Sequence, residues 1–419
     1  MLDRTLPPPF SLSHSLNLLK PHQVNLQTGA KLFFINGGEQ QVVKLELIFH
    51  AGRWYEDIPG ISYFTAHLLA KGTKTKTSKQ IADTLESLGM HLEITPGFDF
   101  VSVSLFGLTK HFSEALETLV EICVRPCFPS DELDQFKSIF LQTLKINREK
   151  TSYLASTAFR KNLFGQNHPY GNEVDESHVN QILSEKLGSF HAKHYKHFTA
   201  FITGRLSEAL QASIIERLAQ IPVQEVRLFS AQISVPGKGS VHIKKTDSIQ
   251  ASLRLGKLVI SRNHPDYPAL VLANHAIGGY FGSRLMQRLR EDKGLTYGIH
   301  SAIHPLIRHA YFIISADVSK EHKNFATEEI KSTLQDFRTY PLEGTELQVV
   351  KNHFLGSLFT EINTPFAHTE KLKNIYLHQL ESDYYQNLVI QIQKISAEKL
   401  AKIAEEHLHE SNLLIITAG

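Results

Sequence analysis

The chain has 419 residues, of which 42% are hydrophobic and 21% are charged, so it can bury a sizeable core. Its 44 Lys and Arg nearly balance 42 Asp and Glu, which gives no electrostatic case for binding nucleic acid or an anionic membrane. Two cysteines are too few for a secreted disulfide scaffold. No apolar run approaches the roughly 20 residues of a membrane span, and the first ten residues lack the apolar stretch of an export signal. We therefore expect an intracellular protein.

The predicted elements of the first half begin with a strand at Val42–Phe49, a dense β-branched and apolar run. A helix follows the breaker pair Pro59-Gly60, and a second helix begins at Ser78 and stops at Gly89. Strands, long helices and a closing helix–strand pair complete this half. They are predicted at His91–Thr95, Phe100–Gly107, His111–Arg125, Ser130–Phe164, Ile182–His194 and Ala200–Thr203.

The second half repeats the same order of elements. Residues 182–187 read ILSEKL and residues 395–400 read ISAEKL, 213 positions later, and each begins a helix that is followed by a short apolar strand. The elements predicted before that second helix alternate in the same blocks as in the first half. They are strands at Ala251–Val259, Leu295–Ile303 and Ala310–Val318, helices at Tyr267–Ile277 and Ser283–Arg290, and helices from about Lys320 to His407.

This order predicts an α+β protein built from two homologous halves. Each half is a mostly antiparallel sheet with helices packed on one face, and the two halves are expected to pack as a clam-shell. The predicted boundaries are an N-terminal domain at residues 1–220, a linker at 221–238 and a C-terminal domain at 239–419. Pro222, Pro236 and Gly237 interrupt regular structure in that linker.

Residues 60–73 read GISYFTAHLLAKGT. This segment resembles the zinc signature of the M16 metallopeptidases, the family of pitrilysin, insulin-degrading enzyme and the mitochondrial processing peptidases. Active members carry His-x-x-Glu-His in this frame, with two histidines on one helix face binding zinc and the Glu acting as general base. Tyr63 stands in place of the first His and Ala66 in place of the Glu, so only His67 is retained. The third ligand of the family falls at about Thr143 or Leu144, and neither is a zinc ligand.

The resemblance extends to the second half. Residues 278–285 read GGYFGSRL and residues 289–297 read LREDKGLTY, which resembles the C-terminal M16 signature. In the family, an Arg and a Tyr seven positions apart bind the substrate backbone and help to stabilise the tetrahedral intermediate. Arg290 and Tyr297 hold these places, with Gly294 supplying the turn between them. The alternative is that Arg290 pairs with a local carboxylate and Tyr297 packs.

The resemblance therefore implies a chain with a degenerate zinc motif, no catalytic residues of its own and no bound metal or cofactor. It implies a non-catalytic subunit of a heteromeric zinc endopeptidase, lending Arg290 and Tyr297 to a zinc-bearing M16 partner that acts on peptides. A homodimer is an alternative assembly for the isolated chain. The resemblance is to bacterial two-chain members, and together with the missing export signal it leads us to expect the bacterial cytoplasm, with the periplasm as the alternative location. The competing interpretation is a scaffolding subunit, like the respiratory-complex core proteins of the family, with no part in peptidolysis.

One further group of possible ligands is His191, His194 and His197. Positions three apart share a helix face, but the third histidine drifts off that face. His194 also has a counterpart in His407 of the repeat. We therefore interpret these histidines as packing residues. An independent enzyme using another site is a third interpretation, for which no nucleophile–base arrangement is evident.

Overall fold

A computed structural model of the chain describes residues 5, 15–224, 237–342 and 344–419. Of the first ten residues, only Thr5 is described. Most of the predicted linker at 221–238 also lies outside the described residues. The domain boundaries therefore stay a prediction.

The first half contains a six-stranded sheet with the order β1-β2-β6-β3-β5-β4. Neighbouring strands run antiparallel except for the parallel pair β2 and β6. The six strands are β1 (His22–Asn25), β2 (Lys31–Asn36), β3 (Val42–Phe49), β4 (His91–Pro96), β5 (Val101–Leu108) and β6 (Phe198–Gly204).

The helices of this half follow β3, β5 and β6 in three groups. They are α1 (Ile61–Leu68), α2 (Ser78–Ser87), α3 (Thr109–Val124), α4 (Ser130–Arg148), α5 (Thr151–Phe164), α6 (Glu176–Gln181), α7 (Ser184–His194) and α8 (Glu208–Leu218). The predicted helix Ser130–Phe164 is thus two helices, which are separated at Glu149 and Lys150. The cap of α2 is Thr77 rather than Ser78, because Thr77 and Gln80 form a reciprocal capping box.

The second sheet has the order β7-β11-β8-β10-β9, again with one parallel pair, β7 and β11. Without β1, the first sheet has the same order, so each strand of the second sheet has a counterpart in the first. The five strands are β7 (Gly239–Ile243), β8 (Gln250–Val259), β9 (Ile299–Pro305), β10 (Ala310–Ser319) and β11 (Leu414–Ala418).

The helices of the second half repeat the spacing of the first. They are α9 (Tyr267–Asn274), α10 (Lys323–Thr339), α11 (Gly344–Thr360), α12 (Pro365–Leu377), α13 (Tyr384–Lys394) and α14 (Ala397–His407), with π-helical turns at His275–Gly279 and Met286–Asp292. The starts of α3 and α10, of α4 and α11, and of α5 and α12 are each 214 residues apart. The predicted plan of two homologous α+β halves is confirmed.

Helices from each half also cover the sheet of the other half. In β2, Leu32 and Phe34 face the main core of the first half, whereas Phe33 and Ile35 face α12 of the second half. On the other side, α5 lies against β8 and β11, and Arg254 Nε donates to Ser156 Oγ at 3.1 Å. Both faces of the central strands are therefore covered, which explains why every residue of β6 and of β11 is buried.

Candidate functional site

The helix α1 carries the three positions of the zinc motif. It begins after Gly60, whose φ of +96° lies in the left-handed region where a side chain is strained. Glu56 caps this end, since its two carboxylate oxygens accept from the backbone N–H groups of Gly60 at 3.0 Å and Ser62 at 3.1 Å. The motif helix is thus firmly anchored, and its orientation depends on local residues rather than on a metal.

Aromatic packing surrounds the motif positions. Ala66 is fully buried, while Tyr63 and His67 are half-buried, with ring centroids 4.2 Å apart. The facing helix α4 contributes Phe136, whose ring centroid lies 5.1 Å from that of His67, and Phe140, which lies 5.6 Å from Tyr63. Burial lowers the pKa of His67, so this imidazole is neutral at neutral pH.

In the described residues, the position of the third zinc ligand also carries no ligating side chain near His67. The sequence comparison placed it at about Thr143 or Leu144. Thr143 is exposed and its hydroxyl donates to the Ile139 carbonyl, whereas Leu144 is buried. The α4 residues in contact with the motif helix are instead phenylalanines.

These surroundings do not fit the zinc ion of the M16 family. Zinc is bound by imidazole, carboxylate or thiolate groups, and a catalytic site needs three of them with one open position. One imidazole among phenyl rings supplies a single ligand. The motif positions therefore support no metal-dependent step in this chain.

A cavity of about 170 Å³, lined by apolar and charged side chains together, adjoins this aromatic cluster. Arg53 donates to the Asn172 side chain at 2.5 Å, and Arg160 lines the same cavity. Burial raises the pKa of the Glu56 carboxyl to about 7, although Arg53 opposes this rise. Sequence reasoning missed this cavity, because Arg53 and Asn172 are 119 positions apart and no motif connects them.

Arg290 and Tyr297 are exposed, in contrast to the packed positions of the zinc motif. Arg290 lies in the π-helical turn Met286–Asp292, with its guanidinium 5.1 Å from the centroid of the exposed Phe281 ring. Its Nε lies 3.4 Å from a carboxylate oxygen of Glu291. The Tyr297 side chain is 92% exposed, and in the described part of the chain its hydroxyl has no hydrogen-bond partner.

The backbone between these two residues is held in place. Gly294 has a φ of +61°, and this confirms the predicted turn. The Thr296 hydroxyl donates to the Asp317 carbonyl at 2.7 Å and accepts from the Gly298 N–H at 3.2 Å. Because β9 begins at Ile299, Tyr297 lies in the connection just before the strand and not within it. An anchored segment thus presents an exposed phenol.

The histidines of α7 and of the connection after it do not converge on a common point. His191 Nε2 lies 2.9 Å from the Cys123 carbonyl oxygen, His194 packs on Phe190, and His197 packs on His50. In the described residues, these three histidines form no group with metal-binding spacing. Their interpretation as packing residues agrees with these contacts.

Two family models match this chain. "Insulinase (Peptidase family M16)" matches residues 33–168, and "Peptidase M16 inactive domain" matches residues 182–354. The chain belongs to peptidase family M16. The two models thus match parts of both halves of this M16 chain, including the segment that carries Arg290 and Tyr297.

Curated relatives of this M16 protein carry different descriptions. An "Uncharacterized zinc protease YmxG" of Bacillus subtilis is 22% identical over 81% of this chain and 83% of its own length. A "Non-peptidase homolog YmxG" of Helicobacter pylori is 23% identical over 84% and 83%, respectively.

Solved structures share the fold over almost the whole chain. A peptidase M16 inactive domain from Pseudomonas fluorescens is 28% identical, has a TM-score of 0.86 and covers 96% of this chain and 98% of its own. A protease from Helicobacter pylori has the same TM-score at 15% identity, covering 96% and 100%, and that likeness concerns the fold alone. Within the described residues of this M16 chain, no helix is both long and apolar enough to span a bilayer.

Proposed function

We propose that this chain is the non-catalytic subunit of a heteromeric M16-type zinc metalloendopeptidase. The observation that carries the proposal is the contrast between the two signature regions. The zinc-motif positions are packed among phenyl rings, whereas Tyr297 is 92% exposed and Arg290 also lies at the surface. The zinc ion and the general base belong to the partner subunit in this proposal. The partner is a zinc-bearing M16 chain, and a homodimer forms when that partner is missing.

The chemistry of Arg290 and Tyr297 suits a peptide backbone. A guanidinium keeps its charge at neutral pH and offers several N–H donors in a fixed plane, and a phenol offers one O–H donor. Both donate to the carbonyl oxygen of a bound peptide. Donors placed at that oxygen stabilise the charge that develops on it during hydrolysis. Because they address backbone rather than a particular side chain, the expected substrate is an extended, unfolded peptide.

Two observations about similar proteins support a subunit without a zinc site. The Pseudomonas fluorescens structure is described as an M16 inactive domain, and the Helicobacter pylori relative is described as a non-peptidase homolog. The competing interpretation, a scaffolding subunit, is supported by the contacts that Arg290 makes within this chain. If its contacts with Phe281 and Glu291 are permanent, the guanidinium is structural.

The test is hydrolysis of quenched fluorescent peptides by the chain alone and after mixing with a zinc-bearing M16 subunit from the same cell. We expect no activity from the chain alone and activity from the mixture. Arg290→Ala should lower kcat/KM of the complex about 100-fold or more, the usual effect of losing a donor to a developing oxyanion. Tyr297→Phe should lower it as well, because only the hydroxyl is removed.

The matched control is Tyr340→Phe, since this tyrosine is also exposed and also in the second half. It should leave kcat/KM unchanged. Size-exclusion chromatography of each mixture shows whether the complex still forms. Full activity of an intact complex that carries Arg290→Ala would contradict the proposal and favour the scaffolding subunit.

A further inference from the structure

A mixed set of carboxylate and imidazole side chains lies where the end of α14 meets the start of α9. Asp266 directly precedes α9, and Glu406 and His407 are the last two residues of α14. One ligand atom from each of the three lies within 4.8 Å of the others, the only such group in the described residues. The set lies far along the chain from the zinc motif at residues 63–67.

The His407 imidazole has an unused nitrogen inside this group. Its Nε2 is shielded from solvent and has no hydrogen-bond partner among the described residues, and its nearest carboxylate oxygen belongs to Glu406 at 3.9 Å. A buried polar atom without a partner is costly, because it has lost its water without compensation. A bound cation would satisfy this nitrogen.

The repeat provides an internal comparison for this site. His194 ends α7 as His407 ends α14, and Asp57 lines a cavity with it as Asp266 lies beside His407. The residue before the histidine differs, since the first half has Lys193 where the second half has Glu406. The second half therefore has one carboxylate more and one ammonium less at otherwise equivalent positions.

We propose that Asp266, Glu406 and His407 bind a divalent transition metal ion of the Zn²⁺ type, which fastens the end of α14 to the start of α9. Imidazole nitrogen and carboxylate oxygen are both zinc ligands, with bond lengths near 2.0–2.2 Å. Ligand atoms around one such ion are about 3–3.5 Å apart, so the three side chains must close by about 1 Å. Glu406 is 44% exposed and free to make this movement.

Cationic groups near the site set the conditions for binding. Lys399 Nζ lies 2.5 Å from Asp266 Oδ1 and must move away from that oxygen; its side chain is 42% exposed. Lys257 and His264 also face His407, and Lys402 lies 3.8 Å from Glu406. Metal binding requires a neutral imidazole, so it should weaken in acid. The inference is independent of the proposed function and revises the expectation that this chain binds no metal.

The test is calorimetric titration of the metal-free full chain with Zn²⁺, compared with Glu406→Lys, which introduces the residue of the first half. All proteins carry His353→Ala, because His353 and His275 form a second imidazole pair, with nitrogen atoms 3.0 Å apart. Glu406→Lys should weaken binding by more than the roughly 10–100-fold cost of losing an outer-shell partner. The matched control is Glu185→Gln, which removes a carboxylate from the cavity that His194 also lines and should change nothing.

Thermal unfolding provides a second measurement, since an ion that binds only the folded chain raises Tm. Zn²⁺ should raise Tm of the His353→Ala protein and of the Glu185→Gln variant, but not of the Glu406→Lys variant. Equal affinities with and without Glu406→Lys would overturn the proposal, and so would a His353→Ala protein that takes up no Zn²⁺.

Discussion

The residues at the zinc-motif positions lie in an aromatic cluster, whereas Arg290 and Tyr297 lie at the surface on a segment held by its own turn. In the first region, the fully buried Phe64 contacts Phe136 and Phe140 edge-on, so the side chains stabilise the fold. In the second region, the Tyr297 ring contributes little buried area. The difference teaches that positions of a degenerate motif can be stabilised by packing, while an exposed residue such as Tyr297 has little packing to stabilise.

The largest expected effect is from Phe64→Ala in the aromatic cluster. Removing a fully buried phenyl ring typically lowers the free energy of unfolding by about 3–5 kcal/mol, because transfer energy is lost and a cavity remains. Chemical denaturation of both proteins measures the difference. Phe281→Ala is the control, since the Phe281 side chain is 58% exposed. Equal losses from the two variants would remove the contrast between the regions.

A smaller effect is expected from His67→Phe, which completes the aromatic cluster. Burial depresses the pKa of His67 below its ordinary 6.5, so the folded chain favours the neutral imidazole. The stability that this provides is complete above pH 6.5 and is lost as the pH falls toward the folded-state pKa. His67→Phe should therefore lose less stability than the parent chain between about pH 7.5 and pH 5.

Denaturation curves at the two pH values measure this difference. The other histidines with a depressed pKa, such as His50 and His168, are the same in both proteins and cancel. Identical pH dependence of the two proteins would show that His67 titrates as it does in the unfolded chain. That result would contradict the description of this position as part of the core.

The smallest expected effect is from Tyr297→Phe on stability. Surface substitutions away from caps and packed contacts usually change the free energy of unfolding by less than about 0.5 kcal/mol. Denaturation of the isolated chain should therefore not separate this variant from its parent. A loss above about 1 kcal/mol would mean that Tyr297 stabilises the fold, and the exposed region would no longer differ from the aromatic one.

Several elements were predictable because their signals are local. The strand Val42–Phe49 has its predicted bounds, and the turn at Gly294 follows from the conformational freedom of glycine. The helical stretch Ser130–Phe164 was predicted as well, and it consists of α4 and α5. The strands β1, β2 and β7 were missed, and β1 and β7 are short, largely exposed edge strands.

The sequence by itself determined the M16 membership, the internal repeat and the loss of the zinc ligands, because each depends on residue identity at a fixed spacing. Only the tertiary structure decided what replaced the metal, since helix packing brings Phe136 to His67 and Phe140 to Tyr63 across about 70 positions or more. The tertiary structure also decided that α5 covers the sheet of the second half and that α12 covers the sheet of the first half. It likewise brought Asp266 close to His407. Such contacts arise from the burial of apolar faces, which sequence periodicity indicates without naming the partner.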